Sequence, residues 1–247
     1  MIPNPIRKVL FSMRAHRVRA LLMGGQACVF YGAAEFSRDV DFAILADAAN
    51  LARLRKALAE LQAEAIAVPP FELKFLRRGH AVHFRCRHPE AMPLRVDVMG
   101  KMRGVEPFAK LWRRRATMEL ADGTKCNLLS LPDLVRAKKT QRDKDWPMIR
   151  RLMEAHYFAH QGKPSVSQIK FWLRELRTPE LLIELARANG VFCRRLMAAR
   201  PLLAHAATGN AVALEKALDE EEAAERQRDK EYWLPLRREL EKIRHAV

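Results

Sequence analysis

The sequence lacks any apolar run of the roughly 18 residues that a membrane span requires, and it is short of cysteine, glycine and proline. Four cysteines without a C-x-x-C spacing exclude a disulfide framework and a zinc knuckle, so we expect reduced, mostly buried thiols. Ten glycines and 13 prolines beside 49% hydrophobic residues exclude a disordered chain. Arg and His interrupt the apolar residues of the first 23 positions too often for a secretory signal. We therefore expect a cytoplasmic protein without a membrane partner.

Acidic residues are too few to balance the basic ones. The chain carries 45 Lys and Arg against 29 Asp and Glu, a net charge of +16. Residues 101–151 contain 14 basic and 6 acidic residues, which is half of that excess. A positive excess favours polyanionic partners because neutralised phosphates release counterions. RNA is therefore a candidate partner, with Trp112 and the following Arg113–Arg115 as a candidate stacking and neutralising segment.

Hydrophobic periodicity predicts a mixed α/β region followed by a helical one. We expect a helix over residues 6–18, a strand at 20–23, a short helix from Gln26, a strand at 39–45 and a helix at 48–64. Two further strands are expected at 80–86 and 94–100, and a hairpin around Asp122-Gly123. After residue 131 the pattern is helical throughout. The sequence thus predicts an α/β (α+β) fold with a mixed α/β domain at 1–130 and a helical domain at 131–247.

Two aspartates occur inside a stretch that otherwise predicts a buried strand. Side chains alternate between the faces of a strand, so Asp39 and Asp41 lie on one face, about 7 Å apart, while Val40 and Phe42 lie on the other. The stretch LRVDVMG repeats the arrangement with Asp97. Ionised acids this close repel one another, and a divalent cation would stabilise them. Carboxylate oxygens favour Mg²⁺ or Mn²⁺ over Zn²⁺.

A glycine pair lies between the strand at 20–23 and the helix that follows. Gly24 and Gly25 allow the backbone to approach a ligand closely, and amides at a helix start attract phosphate. An ordinary strand-to-helix turn would have the same residues. Together with three acids on strand faces, however, the glycine pair favours a site for a nucleoside triphosphate and metal.

These motifs resemble those of the DNA polymerase β-like nucleotidyltransferase superfamily. Its signature is a hydrophobic residue, Gly, then Gly or Ser, an Asp-x-Asp roughly ten residues later, and a third acid on a later strand. The stretches GGQACVFYGAAEFSRDVDFAI and LVRAKKTQRDKDWPMIRRL are similar to small bacterial nucleotidyltransferases of abortive-infection and toxin–antitoxin systems. The resemblance covers residues 18–155. One departure is local, since Ser37-Arg38 precedes Asp39 where a Thr is often found.

The resemblance implies transfer of a nucleotidyl group from an NTP to a hydroxyl acceptor, with release of pyrophosphate. Asp39, Asp41 and Asp97 would be the catalytic residues and the ligands of Mg²⁺ or Mn²⁺, and Asp97 would accept the hydroxyl proton. The choice between Lys138 and Lys139 for the triphosphate stays open. The residues implied in nucleotide binding are Gly24, Gly25, Gln26, Arg38, Lys138, Lys139, Arg142 and Lys144.

Three functions compete at this point. The first is an enzyme that modifies RNA, a tRNA end or a protein side chain, with a toxin or antitoxin as a candidate partner. The second is a small-molecule nucleotidyltransferase of the antibiotic-resistance kind, although a net charge of +16 would repel cationic aminoglycosides. The third is a non-catalytic binding module or antitoxin that keeps the fold. A zinc site at His80, His83, Cys86 and His88 is disfavoured, because strand residues three apart face opposite sides.

Overall fold

Alternation of apolar and polar residues along the central strands produces a seven-stranded sheet. The computed structural model describes residues 4–120 and 123–245. The strands are β1 (Ala20–Met23), β2 (Asp39–Ile44), β3 (Ala63–Ala65), β4 (Ala81–Cys86), β5 (Arg95–Met99), β6 (Ala116–Glu119) and β7 (Lys125–Leu128). Their order in the sheet is β3-β4-β5-β2-β1-β7-β6. The pairs β2/β5 and β1/β7 are parallel and the other four pairs are antiparallel, so the sheet is mixed.

Helices flank the sheet and make up the rest of the chain. They are α1 (Asn4–Ala15), α2 (Gly24–Phe30), α3 (Ala48–Glu60), α4 (Leu73–Arg78), α5 (Phe108–Arg113), α6 (Leu131–Ala137), α7 (Asp145–His160), α8 (Val166–Glu175), α9 (Pro179–Ala188), α10 (Gly190–Leu196), α11 (Leu203–Thr208) and α12 (Ala211–His245). This confirms the predicted α/β class with a helical C-terminal region. None of the helices in the described part of the chain combines the length and apolarity needed to cross a bilayer.

Most of the expected elements are present, and three short ones were not predicted. Strand β3 and helices α4 and α5 have three to six residues each, too few for a periodic pattern to be recognised. The predicted hairpin is formed by β6 and β7, with Glu119 opposite Lys125. Its turn residue Asp122 lies outside the described residues. All four cysteines are free and buried, as expected.

The chain divides into two compact units. The first comprises residues 1–30, 34–137 and 232–247, and contains the sheet with helices α1–α6. The second comprises residues 31–33 and 138–231, and contains helices α7–α11. Helix α12 contributes its residues from Tyr232 onward to the first unit. The division into domains at residues 130 and 131 stays a prediction.

A buried ion pair organises the start of α7 in the second unit. Lys138 Nζ lies 3.0 Å from Asp145 Oδ1, and the two side chains are 9% and 2% exposed. Thr140 Oγ1 and Arg142 Nε donate to Asp145 Oδ2 at 2.6 and 2.8 Å. Burial raises the pKa of Asp145, but the charges of Lys138 and Arg142 and these hydrogen bonds lower it further than burial raises it. Asp145 is therefore ionised at neutral pH.

We expect Asp145→Asn to lower the free energy of unfolding by about 3 kcal/mol at neutral pH, because the buried Lys138 would lose its counter-charge. A lowered folded pKa stabilises the fold above the unfolded value of about 3.9, and this stabilisation is lost as the pH falls through the folded pKa. Urea unfolding of parent and variant should therefore converge in acid. Asp143→Asn is the matched control, since that side chain is 97% exposed and its ion pair with Arg226 lies at the surface. Equal losses for the two variants would contradict a special role for the buried pair.

Candidate active site

The three aspartates lie on one face of the sheet. Strands β2 and β5 pair in parallel, with Asp41 opposite Asp97 and Asp39 opposite Arg95. Residues opposite each other on neighbouring strands lie about 4.8 Å apart and point to the same face. The opposite face carries Val40, Phe42, Val96 and Val98, which are 0 to 3% exposed. Burial of that apolar face fixes the register and holds the aspartates on the polar side.

Arg95 is the cation that pairs with Asp97 on this face. Its Nε and Nη2 donate to Asp97 Oδ1 and Oδ2, each at 2.8 Å, which is a bidentate pair. Hydrogen bonding to Asp97 raises the pKa of Arg95, and the charges of Asp39 and Asp41 raise it further. One guanidinium is thus attracted by all three carboxylates. The sequence analysis missed this residue, although Arg95 precedes Asp97 by two positions in a strand and therefore shares its face.

His83 is the second partner of Asp97 and was also missed as a site residue. It lies opposite Asp97 on the antiparallel pair of β4 and β5. Its Nδ1 lies 2.9 Å from both Asp97 Oδ1 and Arg95 Nη2. A protonated Nδ1 can donate only to the carboxylate, whereas a bare Nδ1 can only accept from Arg95. Burial raises the pKa of Asp97, but hydrogen bonds from His83 and Arg95 lower it below its ordinary value.

Gly24 of the glycine pair packs directly against Asp41. Met23, the last residue of β1, lies opposite Asp41, and Gly24 then begins α2 with φ +66°. A Cβ atom on Gly24 would lie 1.9 Å from Asp41 Oδ2, so a side chain at this position would displace the carboxylate. At Gly25 a Cβ atom would lie 2.6 Å from Ser37 Oγ. The chain therefore turns from strand to helix in contact with the acidic face.

Two other residues implied in nucleotide binding lie near this turn in sequence. Gln26, in α2, is 1% exposed, and its Oε1 has no hydrogen-bond partner within the described ranges. Because amide oxygen and nitrogen are assigned from hydrogen bonding, this group could present either a donor or an acceptor to a ligand. Arg38 is exposed and directly precedes β2. Both residues belong to the first unit.

The remaining implied residues belong to the second unit, and their contacts differ. Lys138 is buried against Asp145, as described above, whereas Lys139 Nζ lies 2.7 Å from Glu175 Oε2. Arg142 pairs with Asp145 but is 59% exposed, and Lys144 is exposed. Lys138 and Asp145 therefore have a structural role in this unit, whatever ligand the exposed cations bind. The choice between Lys138 and Lys139 stays open.

The donor set suits a hard cation, although the three acids do not form a joint cage. Within residues 4–120 and 123–245, no three His, Cys, Asp or Glu side chains are grouped closely enough to hold a metal ion. The physical reason is that Arg95 and His83 hold the carboxylate of Asp97. Asp39 and Asp41 supply oxygen donors on one face, and the raised pKa of Arg95 indicates that this face stabilises positive charge. These two aspartates fit Mg²⁺ or Mn²⁺.

Two of the three arginines that follow Trp112 contact other residues of the first unit. Arg114 Nε and Nη2 each lie 2.6 Å from the carboxylate of Asp133, which is 1% exposed. Arg115 Cζ lies 4.4 Å from the centre of the Trp112 ring. Of the candidate RNA-contacting arginines, Arg114 thus neutralises a buried carboxylate, and its replacement would remove that counter-charge. Arg113 is exposed.

His80 and His83, two residues of the disfavoured zinc site, make separate contacts with carboxylates. His80 is fully buried, with Nε2 2.8 Å from Glu239 Oε2, and Arg78 also pairs with Glu239. His83 contacts Asp97 instead. Cys86 is buried, and burial raises the pKa of its thiol to about 11. These histidines therefore bind carboxylates rather than sharing a metal.

Comparisons with known proteins give similarity to solved structures. No family model and no curated protein matches the chain. Among solved structures, the chain is similar to a crystal structure of a candidate nucleotidyltransferase from H. pylori, with 14% sequence identity and a TM-score of 0.39. The alignment covers 92% of this chain and 94% of that chain.

We expect Gly24→Ala to destabilise the protein more than Gly104→Ala does. Both glycines have positive φ, +66° and +67°, but a Cβ at Gly104 would meet nothing within 4 Å. Both variants therefore carry the backbone strain, and only Gly24→Ala adds the clash with Asp41. The additional loss should be about 1–3 kcal/mol in urea unfolding. Equal losses would show that the turn does not press against the carboxylate.

Proposed function

We propose that the protein is a metal-dependent nucleotidyltransferase that moves an NMP from an NTP to a hydroxyl acceptor and releases pyrophosphate. One observation carries this proposal. Asp41 lies opposite Asp97 on a neighbouring parallel strand, Asp39 shares their face, and Gly24 packs against Asp41. Like charges repel, and one guanidinium, that of Arg95, offsets the charge of the three carboxylates only in part. A divalent cation bound together with the phosphates of an NTP would supply further positive charge.

Asp39 and Asp41 would hold Mg²⁺ or Mn²⁺. When bound, the metal would neutralise phosphate charge and polarise the α-phosphate toward attack. The attraction of Arg95 to both residues supports this assignment, because it indicates a face that favours positive charge. Arg95 would compete with the metal for these carboxylates. We therefore expect metal affinity to be higher in the presence of a nucleotide, whose phosphates add ligands and compensate the added charge.

Asp97 would accept the proton of the attacking hydroxyl. Its lowered pKa keeps it ionised at neutral pH, which is the state a base requires. Both of its oxygens accept hydrogen bonds from Arg95, and this makes it a weaker base. Arg95 and His83 would act as positioning residues that orient the carboxylate. The acceptor hydroxyl would have to replace at least one of these hydrogen bonds.

The phosphates of the NTP would lie over the glycine turn. Gly24 and Gly25 would supply backbone amides, Gln26 its side-chain amide and Arg38 a positive charge beside the acids. Lys138, Lys139, Arg142 and Lys144 are implied in phosphate binding by the family resemblance alone. These assignments remain proposals for each residue.

RNA, including a tRNA end, is the acceptor class that the charge favours. Half of the net charge of +16 lies in residues 101–151. A protein side chain is the other acceptor that this reaction could use, and a toxin–antitoxin context follows from the resemblance alone. A small cationic antibiotic would be repelled, which makes that alternative weaker. A non-catalytic module is also weaker, because it would have no need of all three acids.

We expect a magnesium NTP to raise the melting temperature by about 5 °C or more when its concentration is 100 times its Kd. Asp39→Asn with Asp41→Asn should abolish that shift and reduce pyrophosphate release to background. The control is Glu215→Gln with Asp219→Asn, which removes two exposed charges from α12. Thermal shift with each NTP, with Mg²⁺ and with EDTA, is the measurement. If the aspartate variant keeps the full shift, the acids are structural and the proposal fails.

A further inference from the structure

A cavity of about 350 Å³ lies in the first unit, on the face of the sheet opposite the aspartates. Phe42 lines it and alternates along β2 with Asp41, so the sheet separates the cavity from the acids. The end of α1, the start of β1, Arg53 of α3 and Trp112 of α5 form its other walls with β7. The cavity is therefore distinct from the candidate active site.

Every charged residue that lines the cavity is positive. They are Arg14, Arg17, Arg19, Arg53 and Lys125. In the portion of the chain that the structure describes, none of the five forms an ion pair, whereas Arg95 and Arg114 elsewhere in the unit have carboxylate partners. Five like charges around one cavity repel one another. An anionic ligand would reduce that repulsion, and all five positive charges would attract it.

The uncharged part of the lining suits a flat organic group. Leu10, Met13 and Phe42 give the cavity an apolar side, and Trp112 adds an aromatic one. Arg19 Cζ lies 5.9 Å from the centre of the Trp112 ring. A purely inorganic anion would make no use of these surfaces, while a phosphate attached to a base and sugar would. The volume is at the lower end of the range for small-molecule sites, roughly 300–1,000 Å³.

Arg17 is held at the cavity in a conformation that favours glycine. Helix α1 ends at Ala15, and Arg17 follows with φ +51°. The amides of Arg17 and Val18 donate to the carbonyls of Arg14 and Met13 at 2.8 and 2.9 Å, and so close the helix end. Glycine is the usual residue at such an end, because a Cβ atom makes the left-handed conformation less stable. An arginine here is better explained by its charge than by stability.

We propose that this cavity is a second phosphate-binding site, which takes a nucleotide either as a free molecule or as one unit of an RNA strand. The five cations would bind the phosphate, and the apolar lining with Trp112 would contact the base or sugar. The site needs neither the aspartates nor a metal ion. It is therefore independent of the proposed transfer reaction.

Arg14→Gln with Arg17→Gly tests the proposal. The glycine removes a charge while it relieves the left-handed backbone, so the melting temperature should not fall. Lys163→Gln with Arg195→Gln removes two exposed charges from the second unit and is the matched control. Binding of a labelled single-stranded RNA and, separately, of AMP is measured in EDTA, which excludes metal-dependent binding. Asp39→Asn with Asp41→Asn should bind both ligands at least as well as the parent under these conditions.

We expect the cavity variant to lose tenfold or more in affinity and the control to lose threefold or less at low salt. For RNA, the loss of two phosphate contacts should reduce the slope of log affinity against log salt by about 1.4. If the cavity variant binds only RNA more weakly, the ligand of the cavity is a nucleotide unit of an RNA strand. If it binds only AMP more weakly, the ligand is the free nucleotide. Equal losses in cavity variant and control, or no binding of either ligand by the parent, would overturn the proposal.

Discussion

The bidentate pair of Arg95 with Asp97 is the interaction on which the candidate site depends. Parallel pairing of β2 with β5 brings three carboxylates to one face, and Arg95 supplies their positive charge in the same plane. Burial of the other face of the sheet stabilises this pairing, because Val40 and Val96 on that face are fully buried. A slip of one residue would bury the acids and expose the valines. The apolar core thus determines where the charges lie.

The same pair explains why the acids lie together without forming a cage for a metal. Because Arg95 neutralises part of the negative charge, this face can fold before any ligand binds. A divalent ion that binds together with a nucleotide would then replace the positive charge of Arg95 beside the carboxylates. Gly24 allows a close approach of the backbone, because the chain passes within contact distance of Asp41 at this residue. Charge compensation and close backbone approach are the two properties that a metal-nucleotide site needs.

Local patterns predicted much of this fold from the sequence. The shared face of Asp39 and Asp41 follows from strand alternation, and the turn at Gly24 from its glycines. What depends on pairing between distant segments was not predictable: His83 lies opposite Asp97 only because β4 pairs with β5. Lys138 was predicted as a ligand contact on a polar helix surface, yet it is buried against Asp145, seven positions later, because the chain turns between them. The cations of the cavity come from α1, the loop after it, α3 and β7, and are brought together only by the fold.

The central claim is that Asp39 and Asp41 bind a divalent cation together with a nucleotide. Crystals grown with Mn²⁺ and a non-hydrolysable NTP test it most directly, because manganese gives an anomalous signal that locates the ion. The account predicts a manganese peak about 2.2 Å from carboxylate oxygens of both Asp39 and Asp41, with the phosphates next to Gly24 and Gly25. It is contradicted if the nucleotide binds elsewhere, or if Arg95 keeps its place and no manganese lies beside these aspartates.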